Sequence, residues 1–439
     1  MTHQTSSPTD PSSRPIPSGD RASRWRTIAC FVLMLVAIQL VMGPKIRLSQ
    51  WNVRADENAG VLEGVAWLDG RLDLPNQGAD PSHTRMHDTA YYDGKVFNVF
   101  PPLVGFLTVI LSPLHRLMLD GVDVWLQTPM VLLFFWPVPI VGFVVFLKQT
   151  GDPAWAALLT VGWMGGTALL PELADAGSGQ LAQMNHVASQ VGLLIFAADL
   201  LGKQRIWPAL LGLAISVWTR QMTCLYALPL LIVAAKQRRI ALCLIGLTVI
   251  AAPLLTLNQL KFGSPLDFGY RHIYVNRDSE ELAERCKAHG VFSPHFLPDN
   301  FYYMHLAPPR IDEVSTTRVH IVAPHQHGVS IWLTTPLLLL FLIDVRKWYR
   351  DAPRRLLALG TLPVMAGLLC YHGTGFIQPG WNRFALDFLP IWLAIIAPYA
   401  RGGWRGWFAI GCTAWSLLYF QTVMPNIAII AERVSCVSR

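Results

Sequence analysis

Long apolar segments separated by short polar linkers fill most of the chain after residue 26. About 11 of these segments have, or nearly have, the length of roughly 20 residues that a helix needs to cross a bilayer. The predicted spans are 27–44, 124–147, 153–170, 187–201, 206–219, 223–235, 240–257, 329–343, 356–372, 384–399 and 404–423. The pattern therefore predicts an all-α polytopic membrane protein with about 11 transmembrane helices.

One more apolar segment, 100–118, is ambiguous, because it begins with Pro101-Pro102 and ends in His115-Arg116. Cytoplasmic linkers of membrane proteins carry an excess of Lys and Arg. If the segment lies along the outer face without crossing, the N-terminal tail and all later basic linkers fall on one side; if it crosses, those linkers move outside. These linkers contain Lys148, Lys203, Arg205, Lys236, Arg238, Arg239, Arg346, Lys347, Arg350, Arg354, Arg355, Arg401 and Arg405. We therefore expect a juxtamembrane or re-entrant helix here, with the N-terminus in the cytoplasm and the C-terminus outside.

This topology organises the chain into a tail and one membrane domain. Residues 1–24 are rich in Ser, Thr and Pro, which predicts a disordered cytoplasmic tail. Residues 25–439 form a single transmembrane domain, and the apolar run from Ile28 is interpreted as a retained first helix and not as a signal peptide. The predicted outer segments are 45–123 (the first outer loop, with juxtamembrane helices), 171–186, 259–328 (the large outer loop) and 372–383.

The composition supports a membrane protein. Hydrophobic residues make up 52% of the chain and charged residues only 14%, against about 25% in an average soluble domain. The net charge of +7 does not indicate nucleic-acid binding, because the cations lie in short clusters between apolar runs. The cysteines show no metal-ligand spacing, and the pair His325 and His327 has no third ligand at a diagnostic spacing, so we predict no metal site.

Candidate chemistry begins with the acids that follow the first span. Asp56 and Glu57 are adjacent at a membrane surface, where partial desolvation raises the pKa of a carboxyl group and suits a general base. The alternative is a solvated loop start or a first-turn acid of the next helix. Asp175 lies in the short outer segment with His186, where a second carboxylate could position an acceptor or a cation. The alternative is helix capping and loop solvation.

Further along the first outer loop, Asp93-Gly94 predicts a turn between Tyr92 and Lys95. The alternative to a functional loop is a plain turn into an interfacial helix. Arg220 lies at the outer end of a predicted helical hairpin, where an Arg can bind phosphate or extend to lipid headgroups.

The last candidates precede and open the span 384–399. Arg383 and Asp387 are spaced i, i+4 and can pair on one helix face, holding the Arg toward an anion. The alternative is a buried salt bridge without a ligand. Trp381 lies two residues before this Arg, and Tyr270 ends a turn-containing segment after the span 240–257.

Taken together, these motifs resemble those of the GT-C superfamily of integral-membrane glycosyltransferases, in the branch of protein O-mannosyltransferases and lipid A aminoarabinose transferases. Asp56-Glu57 is similar to the first-loop acidic motif, and 98–103 is similar to the Pro-Pro stretch that opens a juxtamembrane helix. Aminoarabinose transferases carry a lysine before those prolines that contacts lipid phosphate, and Lys95 is the candidate substitute here. Segments 219–220, 262–265 and 381–390 are similar to further motifs of bacterial members.

The resemblance implies a sugar transfer from a polyprenyl-phosphate donor to a lipid, glycan or protein acceptor, with inversion, at the outer (periplasmic) face of the cell inner membrane. Asp56 would be the general base, and the need for a divalent cation stays open. The resemblance and the residue types suggest three sets of site residues: Asp56, Glu57 and Asp175 for catalysis; Arg383, Arg220 and Lys95 for the donor phosphate; and Tyr92, His186, Tyr270 and Trp381 for the acceptor or sugar pocket.

Two other classes of function use the same residues. A secondary transporter or flippase of envelope glycolipids would show charges at mid-span and broken helices in matching halves. The charges here are predicted at outer helix ends, which favours chemistry at the surface. A non-catalytic scaffold in envelope assembly is the third interpretation, and Asp56 argues against it.

Overall fold

The computed structural model describes residues 19–42, 59–74, 89–118, 136–176, 181–273, 280–312, 321–323, 328–373 and 382–437. Within them the chain is mostly helical, as the apolar pattern predicts. The longer helices are α1 (Gly19–Met42), α2 (Ala59–Leu68), α3 (Leu103–Met118), α4 (Pro137–Thr150), α5 (Pro153–Gly165), α6 (Leu169–Ala176), α7 (Leu181–Leu200), α8 (Ile206–Val217), α9 (Ala227–Lys236), α10 (Ile240–Phe262) and α11 (Glu280–His289).

The remaining elements are short, apart from two helices near the C-terminus. They are α12 (Leu297–Phe301), α13 (Ile331–Thr334), α14 (Leu339–Ile343), α15 (Val345–Arg350), α16 (Ala352–Leu369), α17 (Leu389–Ile396) and α18 (Gly403–Val437). Short 3₁₀ or π helices lie at Gln221–Tyr226, Tyr270–His272, Pro294–Phe296, Tyr302–Leu306, Pro336–Leu338, Arg383–Asp387 and Ala397–Tyr399. Two antiparallel hairpins complete the fold: β1 (Thr89–Tyr92) with β2 (Lys95–Asn98), and β3 (Arg310–Asp312) with β4 (Ile321–Ala323).

Two described helices are long and apolar enough to cross a membrane, Ala22–Val41 within α1 and Ile240–Phe262. Both expose large apolar side chains, among them Leu33 and Val249. Six further apolar helices are 10–17 residues long. The helical class is therefore confirmed, and the architecture of 11 full spans is not.

Several predicted spans are broken where proline interrupts the backbone hydrogen-bond ladder. The predicted span 329–343 divides into α13, a 3₁₀ turn beginning at Pro336, and α14. The predicted span 384–399 divides into a 3₁₀ turn, α17 with Pro390 in its first turn, and a second 3₁₀ turn containing Pro398. Apolar periodicity alone does not show these breaks.

The structure of two predicted outer segments can be compared with what the sequence predicts for them. The expected helix within 100–118 is present as α3, which begins directly after Pro101-Pro102. The predicted outer loop 171–186 is wrong as a loop, because α6 extends to Ala176 and α7 begins at Leu181. His186 consequently lies inside a helix.

The core contains a close helix pair made possible by glycine. Helices α7 and α8 cross at Gly192 and Gly212, and a Cβ on Gly212 would lie 2.6 Å from the carbonyl oxygen of Gly192. Small residues at such a crossing let two backbones approach each other, as they do in membrane helix pairs.

Several basic linkers contact one another. Arg26 pairs with Asp152 at 3.1 Å, and Nη2 of Arg354 donates to Oε1 of Gln149 at 2.8 Å. Nη2 and Nε of Arg405 lie 2.9–3.1 Å from the carboxylate of Asp344. The segments around residues 150, 350 and 403 thus meet at one end of the helical assembly.

Candidate functional site

Two chain segments bring the candidate arginines together. Arg220 follows α8 with an extended backbone (φ −141°, ψ 99°) and caps the 3₁₀ helix Gln221–Tyr226. Arg383 begins the 3₁₀ helix Arg383–Asp387, which Asn382 caps by accepting a hydrogen bond from the Ala385 amide at 3.3 Å. Both cations therefore lie at the end or the start of a helix, as the sequence predicts.

The partner of Asp387 differs from the prediction. Nε and Nη2 of Arg220 donate to the two oxygens of its carboxylate at 3.0 and 2.9 Å, in a bidentate pair. The expected pairing of Arg383 with Asp387 is therefore wrong. The physical reason is the 3₁₀ conformation, with three residues per turn, which moves position i+4 away from the face of position i.

Arg383 has no carboxylate partner among the described residues. Its side chain is only 8% exposed, and its Nε has no hydrogen-bond partner among the described residues. The guanidinium carbons of Arg383 and Arg220 each lie 5.5 Å from the ring centre of Phe384. A buried guanidinium group, that of Arg383, and a half-buried one, that of Arg220, thus lie around one ring, and the fully buried carboxylate of Asp387 pairs with Arg220.

His186 belongs to the same cluster. Its Nδ1 lies 4.0 Å from Oδ1 of Asp387, and its ring is stacked 6.4 Å from that of Phe384. The neighbouring Asn185 is buried, and neither polar atom of its side chain has a hydrogen-bond partner within the described chain. Both side chains are therefore polar groups enclosed within the protein.

The segment that follows α10 reaches the cluster through Tyr270. Its hydroxyl donates to Oε1 of Gln221 at 3.1 Å, next to Arg220. Its ring lies 6.2 Å from that of Tyr371, which in turn lies 5.7 Å from that of Phe384. Tyr270 is therefore at the edge of the site that Arg220 and Arg383 form.

The hairpin β1–β2 carries two further candidates beside this edge. Its turn has positive φ at Asp93 (49°) and Gly94 (73°), which confirms the predicted turn. The ring of Tyr92 lies 4.7 Å from that of His272, in the turn that begins with Tyr270. Lys95 pairs across the hairpin with Tyr92 and is exposed to solvent, and no contact joins it to the arginine cluster within the described chain.

The other candidates cannot be placed in the site. Asp56, Glu57 and Trp381 lie outside the described residues. Asp175 lies near the end of α6, and its side chain is also outside the description. In the part of the chain that the structure describes, no group of three or more His, Cys, Asp or Glu side chains is arranged to hold a metal ion.

Asp267, three residues before Tyr270, shows a shifted pKa. Burial alone would raise the pKa of Asp267, but hydrogen bonds from the Gly269 amide (3.0 Å), His272 (2.9 Å) and Arg271 (2.8 Å) bring it below its ordinary value. The carboxylate therefore stays charged and fixes the turn that presents Tyr270.

A second buried ion pair was not predicted from the sequence. Glu63 of α2 pairs with Lys261 of α10, and Nδ2 of Asn98 donates to Oε2 of Glu63 at 2.7 Å. Nζ of Lys261 also donates to the Asn98 carbonyl at 3.1 Å. The signal that could have revealed it is the single acid within the apolar helix α2, since a lone acid in an apolar segment needs a partner.

No family model, curated protein or solved structure matches this chain.

Proposed function

We propose that the protein is an integral-membrane glycosyltransferase that moves a sugar from a polyprenyl-phosphate donor to an acceptor at the outer face of the cell inner membrane. The observation that carries the proposal is the charge balance around Phe384. Arg220 is neutralised by Asp387, whereas Arg383 is buried, positively charged and without a carboxylate partner in the described chain. A buried unpaired cation favours an anionic ligand, because a buried charge is costly without a partner.

In the proposed reaction, the acceptor hydroxyl oxygen attacks the anomeric carbon of the donor sugar. The bond between that carbon and the phosphate oxygen breaks, with inversion, and polyprenyl phosphate leaves with the bonding electron pair. Its phosphate gains negative charge as it leaves, and Arg383 stabilises that charge without losing a proton. Asp56 accepts the hydroxyl proton, with Glu57 and Asp175 as supporting acids. Lys95 assists on the donor side.

The remaining candidates surround the reacting sugar in this proposal. His186 and Tyr270 line the cluster, while Tyr92 and Trp381 complete the acceptor or sugar pocket. Arg220 acts mainly through Asp387, which holds its guanidinium beside Phe384.

The contacts at the two ends of the helices support an outward-facing site. The basic linkers around residues 150, 350 and 403 contact one another, as segments on one side of a membrane would. The end of α8 contacts the start of α3, since the Leu103 amide donates to the Trp218 carbonyl at 3.0 Å. This end of α8 also carries Arg220, whereas a basic linker precedes the other end of α8.

The test uses full-length protein reconstituted in vesicles with radiolabelled polyprenyl-phosphate sugars. We expect sugar transfer by the wild type, loss of transfer in Asp56→Asn, and a donor kcat/KM about 10- to 100-fold lower in Arg383→Gln, as expected for a charged hydrogen bond. Arg71→Gln is the matched control, because it removes an outer-loop guanidinium that pairs with Asp73 outside the cluster. No transfer by the wild type from any such donor, or full activity in Arg383→Gln, would contradict the proposal.

A secondary transporter or flippase is the second candidate, favoured by one observation. Two predicted spans, 329–343 and 384–399, are broken into short helices, and transporters build substrate sites from interrupted helices. Proteoliposomes distinguish the two candidates. A transporter moves the intact labelled glycolipid between leaflets, whereas a transferase releases polyprenyl phosphate in equal amount to the transferred sugar.

A further inference from the structure

The short helix α15 is fixed to the protein by one tryptophan. Trp348 is buried, its Nε1 donates to the Phe341 carbonyl at 2.7 Å, and its ring stacks 4.6 Å from that of Phe341. Because this side of the helix is anchored, the other side chains of α15 are held outward in a defined orientation.

The surface around α15 carries more cations than the nearby acids can neutralise. Segments 344–355 and 401–405 contain seven Lys and Arg but only two Asp. Asp344 is shared by Arg405 and Lys347, and Asp351 pairs with Arg354. Four cations in these segments have no carboxylate partner among the described residues: Arg346, Arg350, Arg355 and Arg401.

Exposed apolar and aromatic side chains lie beside these cations. Val345 and Tyr349 are spaced i, i+4 on one face of α15 and are both exposed. Arg346 and Arg350 have the same spacing on the adjacent face. Trp404 is 53% exposed and lies next to Arg405, whose guanidinium carbon is 4.6 Å from its ring centre. Mixed cationic and aromatic surfaces of this kind are typical of the membrane–water interface.

We propose that this basic interfacial surface, formed by Arg346, Arg350, Arg355, Tyr349 and Trp404, binds anionic phospholipid headgroups. The guanidinium groups pair with the lipid phosphates, and the aromatic and apolar side chains enter the headgroup layer. The exposed apolar side chains favour a lipid surface over a water-soluble acidic partner, which would leave them in water. The surface is separate from the arginine cluster around Phe384 and does not depend on sugar transfer.

Site-specific photocrosslinking tests the proposal. A benzophenone amino acid replaces Tyr349 in the full-length protein, which is reconstituted in vesicles of phosphatidylcholine and phosphatidylglycerol. Mass spectrometry then identifies the lipid adduct. We expect phosphatidylglycerol to be enriched in the adduct over its share of the vesicle. Each of Arg346→Gln, Arg350→Gln and Arg355→Gln should lower the enrichment roughly fivefold, which corresponds to about 1 kcal/mol per cation near the surface.

A matched control removes the same charge elsewhere. Lys236, Arg238 and Arg239 are exposed in another basic linker, and their combined replacement by Gln should leave the enrichment at position 349 unchanged. Three outcomes would overturn the proposal: an adduct that mirrors the vesicle composition, undiminished enrichment in the triple Gln variant of the surface, or crosslinking to a polypeptide instead of lipid. If that triple variant does not fold, raising the salt concentration with the wild-type surface replaces it. Loss of enrichment with salt supports the proposal and persistence contradicts it.

Discussion

Arg220 and Arg383 carry the same charge in different electrostatic surroundings. The carboxylate of Asp387 accepts three hydrogen bonds from Arg220 and is fully buried, so each group neutralises most of the other's charge. Arg383 contacts the ring of Phe384 but no acid within the described chain. Removing one partner of a buried pair costs far more than removing a cation that has no partner.

We therefore expect substitutions of the two arginines to differ in their effect on stability. Arg220→Gln should lower the free energy of unfolding by about 3–5 kcal/mol, because it leaves the Asp387 carboxylate buried and unpaired. Arg383→Gln should leave the stability unchanged or raise it while weakening donor use. Thermal unfolding in detergent, combined with the transfer assay, measures both effects. Equal destabilisation by the two variants would show that Arg383 also has a structural partner.

The buried His305 makes stability depend on pH. It lies in the π turn Tyr302–Leu306, is 8% exposed, and has no hydrogen-bond partner at Nε2 among the described residues. Burial lowers the pKa of His305 to about 4. The folded protein therefore keeps the ring neutral, while the unfolded chain binds a proton below its ordinary pKa of 6.5.

This difference in the pKa of His305 between the folded and unfolded states determines how stability changes with pH. The stability contributed by neutral His305 is fully present above pH 6.5 and falls as the pH is lowered toward 4, by about 3 kcal/mol in total. His305→Phe keeps a planar ring without a titrating nitrogen, so it should reduce the acid sensitivity in that interval. Melting temperatures of both proteins from pH 7 to pH 4 provide the measurement. Parallel curves would mean that other groups cause the acid sensitivity.

At the residue scale, the sequence predicts which residues lie in the site better than it predicts which of them pair. Arg220, Arg383, His186 and Tyr270 stand out as polar residues at the ends of apolar runs, and the structure brings them to one cluster. The partner of Asp387 could not be predicted, because i, i+4 pairing assumes an α-helix and the segment is a 3₁₀ turn.

At the element scale, the positions of helices follow from apolar runs, but their continuity does not. Helix α3 and the turn at Asp93-Gly94 were predictable because prolines and glycine mark them. The division of 384–399 involves its prolines and also tertiary contacts, including the hydrogen bond from the Tyr226 hydroxyl to the Asp387 carbonyl at 2.9 Å. Such long-range bonds leave no local pattern in the sequence.

The crossing of α7 and α8 yields a prediction about packing. A Cβ on Gly212 would approach both the Gly192 carbonyl and the Phe196 amide to 2.6 Å, and backbone cannot move aside easily. Gly212→Ala should therefore lower the free energy of unfolding by about 1–3 kcal/mol or more. Gly411→Ala is the control, since nothing lies within 4 Å of its added Cβ, and it should stabilise by about 0.5–1 kcal/mol. Thermal unfolding compares the two, and equal effects would mean that α7 and α8 do not cross this closely.

At the scale of the whole molecule, contacts gather the chain segments into groups that the predicted topology assigns to different membrane faces. The hairpin that carries Lys95 packs against the segment of Tyr270 through the bridge Ala90↔Ile273. Lys347 lies in another group of segments, where it pairs with Asp344 at 2.9 Å. The positive-inside rule predicts that these groups lie on opposite membrane faces, because linkers on one side share an excess of cations. It does not reveal how many helices span fully, since short helices and breaks have the same composition as spans.

Accessibility labelling tests the two faces directly. In a variant whose native cysteines are replaced, single changes Lys95→Cys and Lys347→Cys place thiols at two exposed positions. A membrane-impermeant maleimide added to intact cells should label position 95 alone, and position 347 should react only after the membrane is opened. Lys236→Cys, in another basic linker, is the control that should behave like position 347. If positions 95 and 347 react from the same side, α3 crosses the membrane after all. The arginine cluster and the basic interfacial surface would then have to be reassigned to membrane faces.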